Sequence, residues 1–349
     1  MLGRQVEALD EVLLDIGSGS FERISAMKIP FNYLDKVFIG HLHSDHFGDL
    51  DGLYCGGIVA NRVVPLRVWG PSSIEPKYGT KVAIEHFEKM LAWDIDTRVG
   101  NTDTRGAFID VTEFDYTAVN EVIYQDNGVT IRTIPAIHIF DGAVSFILEW
   151  NGLKFAYSSD TFPNKWWMEH TKGSDIAIHE CFVAVTDLVK KMGFTPERAL
   201  LVGTQIHTAP EAFGKIMTDI QPRMAVAYHF FKDFDTTAAV NDRIRTTYDG
   251  PLSLAEDFMV WNITQNEIRV RMAVVEEHTW APPLVGKPEL PRKDDRKNYG
   301  EEMNVPVDSL GYSDFIQEGR WAEVDEALRG VYKEASEALG RDFPYPADE

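Results

Sequence analysis

The stretch Gly40-His41-Leu42-His43-Ser44-Asp45-His46-Phe47-Gly48 places three imidazoles and one carboxylate almost side by side. The chain has 10 histidines among 349 residues, so this clustering is not the scatter of an ordinary polar loop. Imidazole nitrogens and a carboxylate oxygen are the donor set of zinc and similar borderline metals. His41 and His43 stand two positions apart, and in an extended segment they share one side. Asp45 and His46 follow where the chain turns, so they aim at a second point. One segment offering donors in two directions predicts a dinuclear metal site held by His41, His43, Asp45 and His46.

Several elements must position these groups. Leu34 to Ile39, with Val37, Phe38 and Ile39 as its apolar core, reads as the strand that delivers the motif, and Phe47 to Ile58 reads as the helix that receives it. Val12 to Asp15 reads as another strand. The turn Gly17-Ser18-Gly19-Ser20 then lets the backbone pass close to its neighbours. Asp15 is either a carboxylate that orients a ligating histidine or a plain turn cap. Arg62 to Trp69 alternates as a strand and is expected to stop at Gly70-Pro71. Lys81 to Leu91 carries apolar residues near helical spacing, and its His86, remote from other donors, reads as structural.

Two hairpins carry clear turn chemistry. Glu121 to Gln125 pairs with Val129 to Ile134 around Asn127-Gly128, and Ser145 to Trp150 pairs with Leu153 to Tyr157 around Asn151-Gly152. Strands in close succession, flanked by helices, predict two sheets packed face to face with helices outside. Donors recur where later strands end: His138 after Ile134, Asp160 after Tyr157, His179-Glu180 after Ile178, and His229 after Tyr228. Phe162, Trp166 and Trp167 fit either a pocket wall or the core. Thr208 with Glu211 reads as a capping box, ahead of a helix whose buried face is Ala212, Phe213, Ile216, Met217 and Ile220. Thr237 to Thr247 reads as a helix, and Phe258 to Ile263 with Ile268 to Val274 as a last hairpin.

His41-x-His43-x-Asp45-His46 resembles the signature of the metallo-β-lactamase superfamily. The order of the later pieces, over Val12 to Val274, resembles its ribonuclease Z and arylsulfatase-like branch. The resemblance implies an α/β fold, the αββα sandwich, with two Zn2+ ions per chain. It implies that His138 joins His41 and His43 on the first metal, and that Asp160, in its Ser-Ser-Asp-Thr turn, bridges both. It implies that His229 joins Asp45 and His46 on the second. His179-Glu180-Cys181-Phe182 resembles in part the ribonuclease Z run His-Glu-Ala-Thr, whose glutamate pairs with a histidine at the place of His207. His207 and Glu180 are therefore expected to act as a proton-donating pair, with a structural hydrogen bond between them as the alternative. Asp45 is expected to take a proton from the attacking water as well as hold metal. Ribonuclease Z continues after its last histidine with Ser-x-Arg-Tyr, where this chain has Phe230-Phe231-Lys232-Asp233, a departure that counts against RNA. Relatives usually begin with an extra strand pair before the segment like Val12 to Gly17, so a truncated or differently started chain is expected.

Composition narrows the function further. Hydrophobic residues at 44% and charged residues at 26% are those of a globular protein rather than a disordered one. Lys and Arg number 34 against 55 Asp and Glu, a net charge of −21. That disfavours a broad nucleic-acid surface without excluding a local basic groove. A small anionic substrate would still be drawn to the metals. Cys55 and Cys181 are far apart with no CxxC partner, so no disulfide framework is expected and a reducing compartment is the default. With no apolar run long enough to span a membrane and no basic-then-apolar leader, the expected location is cytoplasmic.

Residues 1–280 read as the catalytic domain and 281–349 as a C-terminal extension. The extension combines a wrapping segment rich in proline (Pro282, Pro283, Pro288, Pro291, Pro306) with an amphipathic helix. Lys287 to Lys297 reads as a solvated charged loop. Trp321, Val324, Leu328, Val331 and Ala335 form one stripe, which must dock on the main domain or on another subunit of a homo-oligomer. The leading expectation is a dinuclear zinc hydrolase of anionic esters, phosphodiester or aryl sulfate. A ribonuclease Z-like tRNA 3′-end endonuclease comes next, then β-lactam hydrolysis. A binding protein that keeps its metals without catalysis is the reading from another class, and the full set of inferred ligands counts against it.

Overall fold

The computed structural model describes residues 11–98, 104–275 and 313–346. Its strands are Leu13–Leu14 (β1), Lys36–Phe38 (β2), Leu66–Pro71 (β3), Ile109–Phe114 (β4), Glu121–Asp126 (β5), Val129–Pro135 (β6), Val144–Trp150 (β7), Leu153–Tyr157 (β8), Ile176–Glu180 (β9), Met224–Tyr228 (β10), Leu252–Leu254 (β11), Met259–Ile263 (β12) and Ile268–Met272 (β13). They form a four-stranded sheet in the order β1-β2-β3-β4, a seven-stranded sheet in the order β11-β10-β9-β8-β7-β6-β5, and the separate β12-β13 hairpin. All pairs of the small sheet are parallel. The large sheet is parallel from β11 to β8 and antiparallel from β8 to β5. This is the αββα sandwich of the metallo-β-lactamase fold.

Three apolar layers hold the sandwich. Phe38 and Trp69 of the small sheet meet Tyr124, Ile131 and Phe146 of the large one. Phe38 stacks on Trp69 at 4.7 Å and meets Tyr124 edge-on at 5.6 Å. Helices Leu50–Val59 and Thr80–Arg98 cover the outer face of the small sheet through Leu53, Ile58, Ile84 and Phe87. Helices including Pro210–Ile220 and Asp325–Leu339 cover the large sheet. Burying one large apolar side chain stabilises by about 1.5–3 kcal/mol, so these layers dominate the cohesion of the fold.

Local chemistry fixes the connections. At both Asn-Gly turns the two residues take positive φ (Asn127 48°, Gly128 77°; Asn151 51°, Gly152 74°), as a two-residue hairpin requires. The strand expected to stop at Gly70-Pro71 instead runs through Pro71, which pairs with Phe114 of β4. β2 has already ended opposite Trp69, so the N–H that Pro71 lacks has no strand to serve. The helix expected over 47–58 is broken into Ser44–Phe47 and Leu50–Val59. Asp49, between them, spends its carboxylate on the backbone N–H groups of Gly19 and Phe21.

Three side-chain readings are settled by burial. Phe162, Trp166 and Trp167 lie in the core. His86 sits on an exposed helix face and packs in no core. The stripe Trp321, Val324, Leu328, Val331 and Ala335 packs into the same apolar cluster as helix Pro210–Ile220, so it docks on its own chain. Trp321 precedes the helix, which begins at Asp325. The proline-rich segment and Lys287 to Lys297 lie outside the described residues. Among the described residues, no helix is long and apolar enough to cross a membrane.

Candidate metal centre

The site lies where strands of both sheets end. The chain leaves β2 through Gly40 and turns into Ser44–Phe47, carrying His41, His43, Asp45 and His46. His138 follows β6, Asp160 follows β8, Glu180 closes β9 and His229 follows β10. His207 follows a π-helical turn, Val202–Ile206, that leads into helix Pro210–Ile220. All nine residues singled out in the sequence therefore converge on one place.

Two clusters of donor atoms share one carboxylate. His41, His43, His138 and Asp160 form the first, and Asp45, His46, Asp160 and His229 the second, each with its donor atoms within 4.8 Å of one another. In the first, His43 Nδ1 lies 3.0 Å from His41 Nε2 and 3.2 Å from His138 Nε2. Tetrahedral ligands at zinc–nitrogen bond lengths stand about 3.3 Å apart, so this spacing fits one cation. In the second, His229 Nε2 is 3.2 Å from Asp45 Oδ2 and 3.2 Å from Asp160 Oδ2. Asp160 Oδ2 is also 3.9 Å from His41 Nε2 and 3.8 Å from His138 Nε2, which places it between the clusters.

The buried polar atoms test whether a metal fits. His46 Nε2 and Asp160 Oδ1 face each other at 3.1 Å, yet both are buried without a hydrogen-bond partner. Buried polar atoms are nearly always paired. Two donors aimed at a common point, and not at one another, are what co-ligands of a cation look like. The donor set of nitrogen and oxygen without thiolate suits zinc and its neighbours in the series.

Groups behind the donors orient them. Asp15 Oδ2 accepts hydrogen bonds from His46 Nδ1 (2.7 Å), the Tyr157 hydroxyl (2.8 Å) and the Ser159 hydroxyl (3.0 Å). Its Oδ1 accepts from the Gly40 N–H at 2.6 Å. Asp15 is thus the carboxylate that orients a histidine, not a turn cap. Ser159 also lies 3.3 Å from His41 Nδ1, and the Ile206 carbonyl 3.4 Å from His138 Nδ1. Asp15, Ser159 and His229 all hold left-handed backbone, with φ of 61°, 48° and 71°. Such conformations cost roughly 1–3 kcal/mol each and gather at functional sites. Gly17 instead makes room for the motif, since a Cβ there would overlap the Asp45 carbonyl.

Charge is arranged to match. Burial opposes a proton on His46, but Asp15 and Asp160 overcome it and lift the ring to about 11. The hydrogen bond from His229 pulls Asp45 down to about 2. Burial and the neighbouring imidazoles push His41 well below its ordinary value. Asp45 and Asp160 are thus both held below the ordinary carboxylate range, which suits a cation between them.

A third group adjoins the first two. His138, Asp160, Glu180 and His207 also bring their donor atoms together. Glu180 is fully buried and accepts from the Thr161 N–H (2.5 Å) and the Thr208 N–H (3.1 Å), with His207 Nδ1 3.1 Å from its Oε2. Phe182 stacks on the His207 ring at 4.3 Å and holds its plane. The capping box expected at Thr208 and Glu211 is not formed. The helix is capped at Ala209 with Pro210 as its first residue, and the Thr208 hydroxyl donates to the Thr161 carbonyl at 2.6 Å. Sequence reasoning missed Ser159, Tyr157, Thr161 and Phe182. Of these, Ser159 and Thr161 carried a usable signal, since they flank Asp160.

The chain has the metallo-β-lactamase fold, and its donor clusters form a candidate metal site within it. The chain belongs to the family described as anti-Pycsar protein Apyc1, whose model matches residues 5–191. Ribonuclease Z of Mycolicibacterium gilvum (strain PYR-GCK) is 27% identical over 173 residues, covering 48% of this chain and 57% of that protein. Ribonuclease Z of Thermoplasma volcanium is 23% identical over 283 residues, covering 73% of this chain and 89% of that one. The chain thus spans little more than half the length of the first of these curated relatives. Among solved structures, the metallo-β-lactamase fold protein YhfI from Bacillus subtilis superposes with a TM-score of 0.51 at 17% identity, covering 70% of this chain and 85% of that one.

Proposed function

We propose that this chain is a dinuclear zinc hydrolase of small anionic esters, phosphodiesters before aryl sulfates. The observation that carries the reading is the position of Asp160, one carboxylate shared by two complete donor clusters. His41, His43 and His138 would hold one ion, Asp45, His46 and His229 the other, with Asp160 between them. Two such ions supply a water acidic enough to attack at neutral pH and a Lewis acid for a substrate oxygen. The chain's own groups do the rest. Asp45, ionised at any ordinary pH, orients the attacking water and draws on its proton. Glu180 fixes His207 through Nδ1, which leaves Nε2 to hand a proton to the leaving oxygen.

A proton donor at this place favours esters, whose leaving alkoxide needs one. Ribonucleases, the curated relatives, cut RNA, itself a phosphodiester, which supports that bond over a sulfate or a lactam. The specific reading of a tRNA 3′-end endonuclease draws on the same relatives. Against it stand the net charge of −21 and the run Phe230-Phe231-Lys232-Asp233. The discriminating experiment is a panel on metal-analysed protein: bis-p-nitrophenyl phosphate, p-nitrophenyl sulfate, nitrocefin, and a pre-tRNA with a 3′ trailer at several salt concentrations. Chelator-sensitive turnover of the phosphodiester, above the sulfate and nitrocefin, is expected. Trailer removal as the dominant activity would replace this reading with the endonuclease, and no turnover of any substrate by metal-loaded protein would sink both.

A further inference from the structure

The C-terminal segment 313–346, beyond the residues the family model matches, runs against the back of the metal centre. Its backbone pairs with the turn after Asp160. Arg320 bridges to Asn164, the Lys165 N–H donates to the Gly319 carbonyl at 2.7 Å, and the Trp321 N–H donates to the Pro163 carbonyl at 3.2 Å. This anchoring aims the Arg320 side chain at two places at once. Its guanidinium carbon stands 3.9 Å from the centroid of Phe162, two residues after Asp160. Its Nη2 donates to Gln205 Oε1 at 3.1 Å, two residues before His207.

Those two partners sit in the turns that carry the chemistry. Phe162 is buried, and its N–H donates at 2.7 Å to the carbonyl of Ile137, the neighbour of His138. Gln205 belongs to the π-helical turn that delivers His207, and that turn also presents the Ile206 carbonyl to His138. Tyr332, from the same C-terminal segment, receives hydrogen bonds from Thr204 (3.1 Å) and Gln205 (3.5 Å). π-helical turns are rare and frequently lie at functional sites. A planar guanidinium can tie two turns together, since it stacks with its face while it donates from its edge. His207 Nδ1 and Asp160 Oδ2 lie 3.8 Å apart. Glu180 and the Thr208 hydroxyl join the two turns directly, and Arg320 adds a further tie through Phe162 and Gln205.

We propose that Arg320 is a positioning residue that locks the turn of Asp160 to the turn of His207, and so sets how His207 meets the leaving oxygen. This rests on the hydrolase reading above. Arg320 belongs to none of the donor clusters, so its removal leaves them complete and shows itself only through His207. A misplaced proton donor slows substrates with poor leaving groups and spares those with good ones.

The test is a double-mutant cycle on the full-length, zinc-loaded chain, with diphenyl phosphate as the poor leaving group and bis-p-nitrophenyl phosphate as the good one. Arg320→Met removes the guanidinium, and with it both the stacking on Phe162 and the bond to Gln205. Gln205→Leu removes the same bond from the other side and serves as the second variant. Each is expected to lower kcat for diphenyl phosphate about tenfold and that for bis-p-nitrophenyl phosphate less than about twofold. Zinc content by elemental analysis stays at the wild-type level. In a His207→Ala background, Arg320→Met has no further effect on diphenyl phosphate. Equal losses with both substrates, the same tenfold loss with and without His207, or loss of zinc from the variants would overturn the proposal. A wild type with bound zinc that hydrolyses neither diester would instead overturn the hydrolase reading, and Arg320's role with it.

Discussion

Replacing Asp15 by asparagine changes one atom type and should loosen the second metal without touching a ligand. The carboxylate accepts four hydrogen bonds, three at Oδ2 and one at Oδ1. An asparagine offers one acceptor oxygen and one NH2 group. In its better orientation the oxygen keeps His46, Tyr157 and Ser159, and the NH2 meets the Gly40 N–H at the 2.6 Å contact, donor against donor. One buried backbone N–H is then left unpaired, at a cost of about 1–3 kcal/mol. The lost negative charge also makes His46 a weaker donor to metal. Altering a group behind a ligating histidine typically weakens metal binding by roughly 10–100-fold, or about 1.4–2.7 kcal/mol. Competition with a chromogenic chelator would separate the two ions. The second is expected to weaken by that factor, while the first, held by His41, His43 and His138, changes little. Two unaltered affinities, or equal weakening of both, would refute the assignment of Asp15 to His46.

Further outcomes follow from the same geometry. His207→Ala should lower kcat for poor leaving groups by about 10²–10⁴ with both metals retained, and Glu180→Gln should lose a smaller part of that; steady-state kinetics with zinc analysis checks it. His179 is fully buried, and burial pushes its ring down to about 4 from an ordinary 6.5. The folded state therefore binds fewer protons, so its contribution is present above pH 6.5 and lost as pH falls towards 4, by about 3 kcal/mol. Urea unfolding of chelator-treated protein should show this slope, and His179→Gln should flatten it; parallel curves would contradict it. Removing metal with chelator should abolish turnover and lower Tm, and zinc should restore both, because ligands bound only by the folded state stabilise it.

Much of the centre was legible because ligand chemistry restricts residue types. Histidines and carboxylates at the ends of apolar strands are few, and each marks where a chain leaves a sheet. The supporting residues were less legible for the opposite reason. Asp15 and Ser159 are of types that cap any turn, and only their left-handed backbone and shared hydrogen bonds separate them from caps. Thr208 and Glu211 met the capping-box spacing, but Pro210 set the helix start one residue later and Thr161 claimed the threonine hydroxyl. β4 was missed because a six-residue edge strand, Ile109–Phe114, carries only a faint alternation. The two Asn-Gly hairpins were plain because positive φ at both turn positions narrows the choice of residues. Arg320 had no local signal: its partners lie more than a hundred positions away.

The most direct measurement is anomalous scattering at the zinc edge from crystals of the purified chain. Two peaks about 3.5–4 Å apart are expected, one among His41, His43 and His138 and the other among Asp45, His46 and His229, with Asp160 reaching both. A single peak, or none in protein that still hydrolyses a phosphodiester, would contradict a two-metal centre.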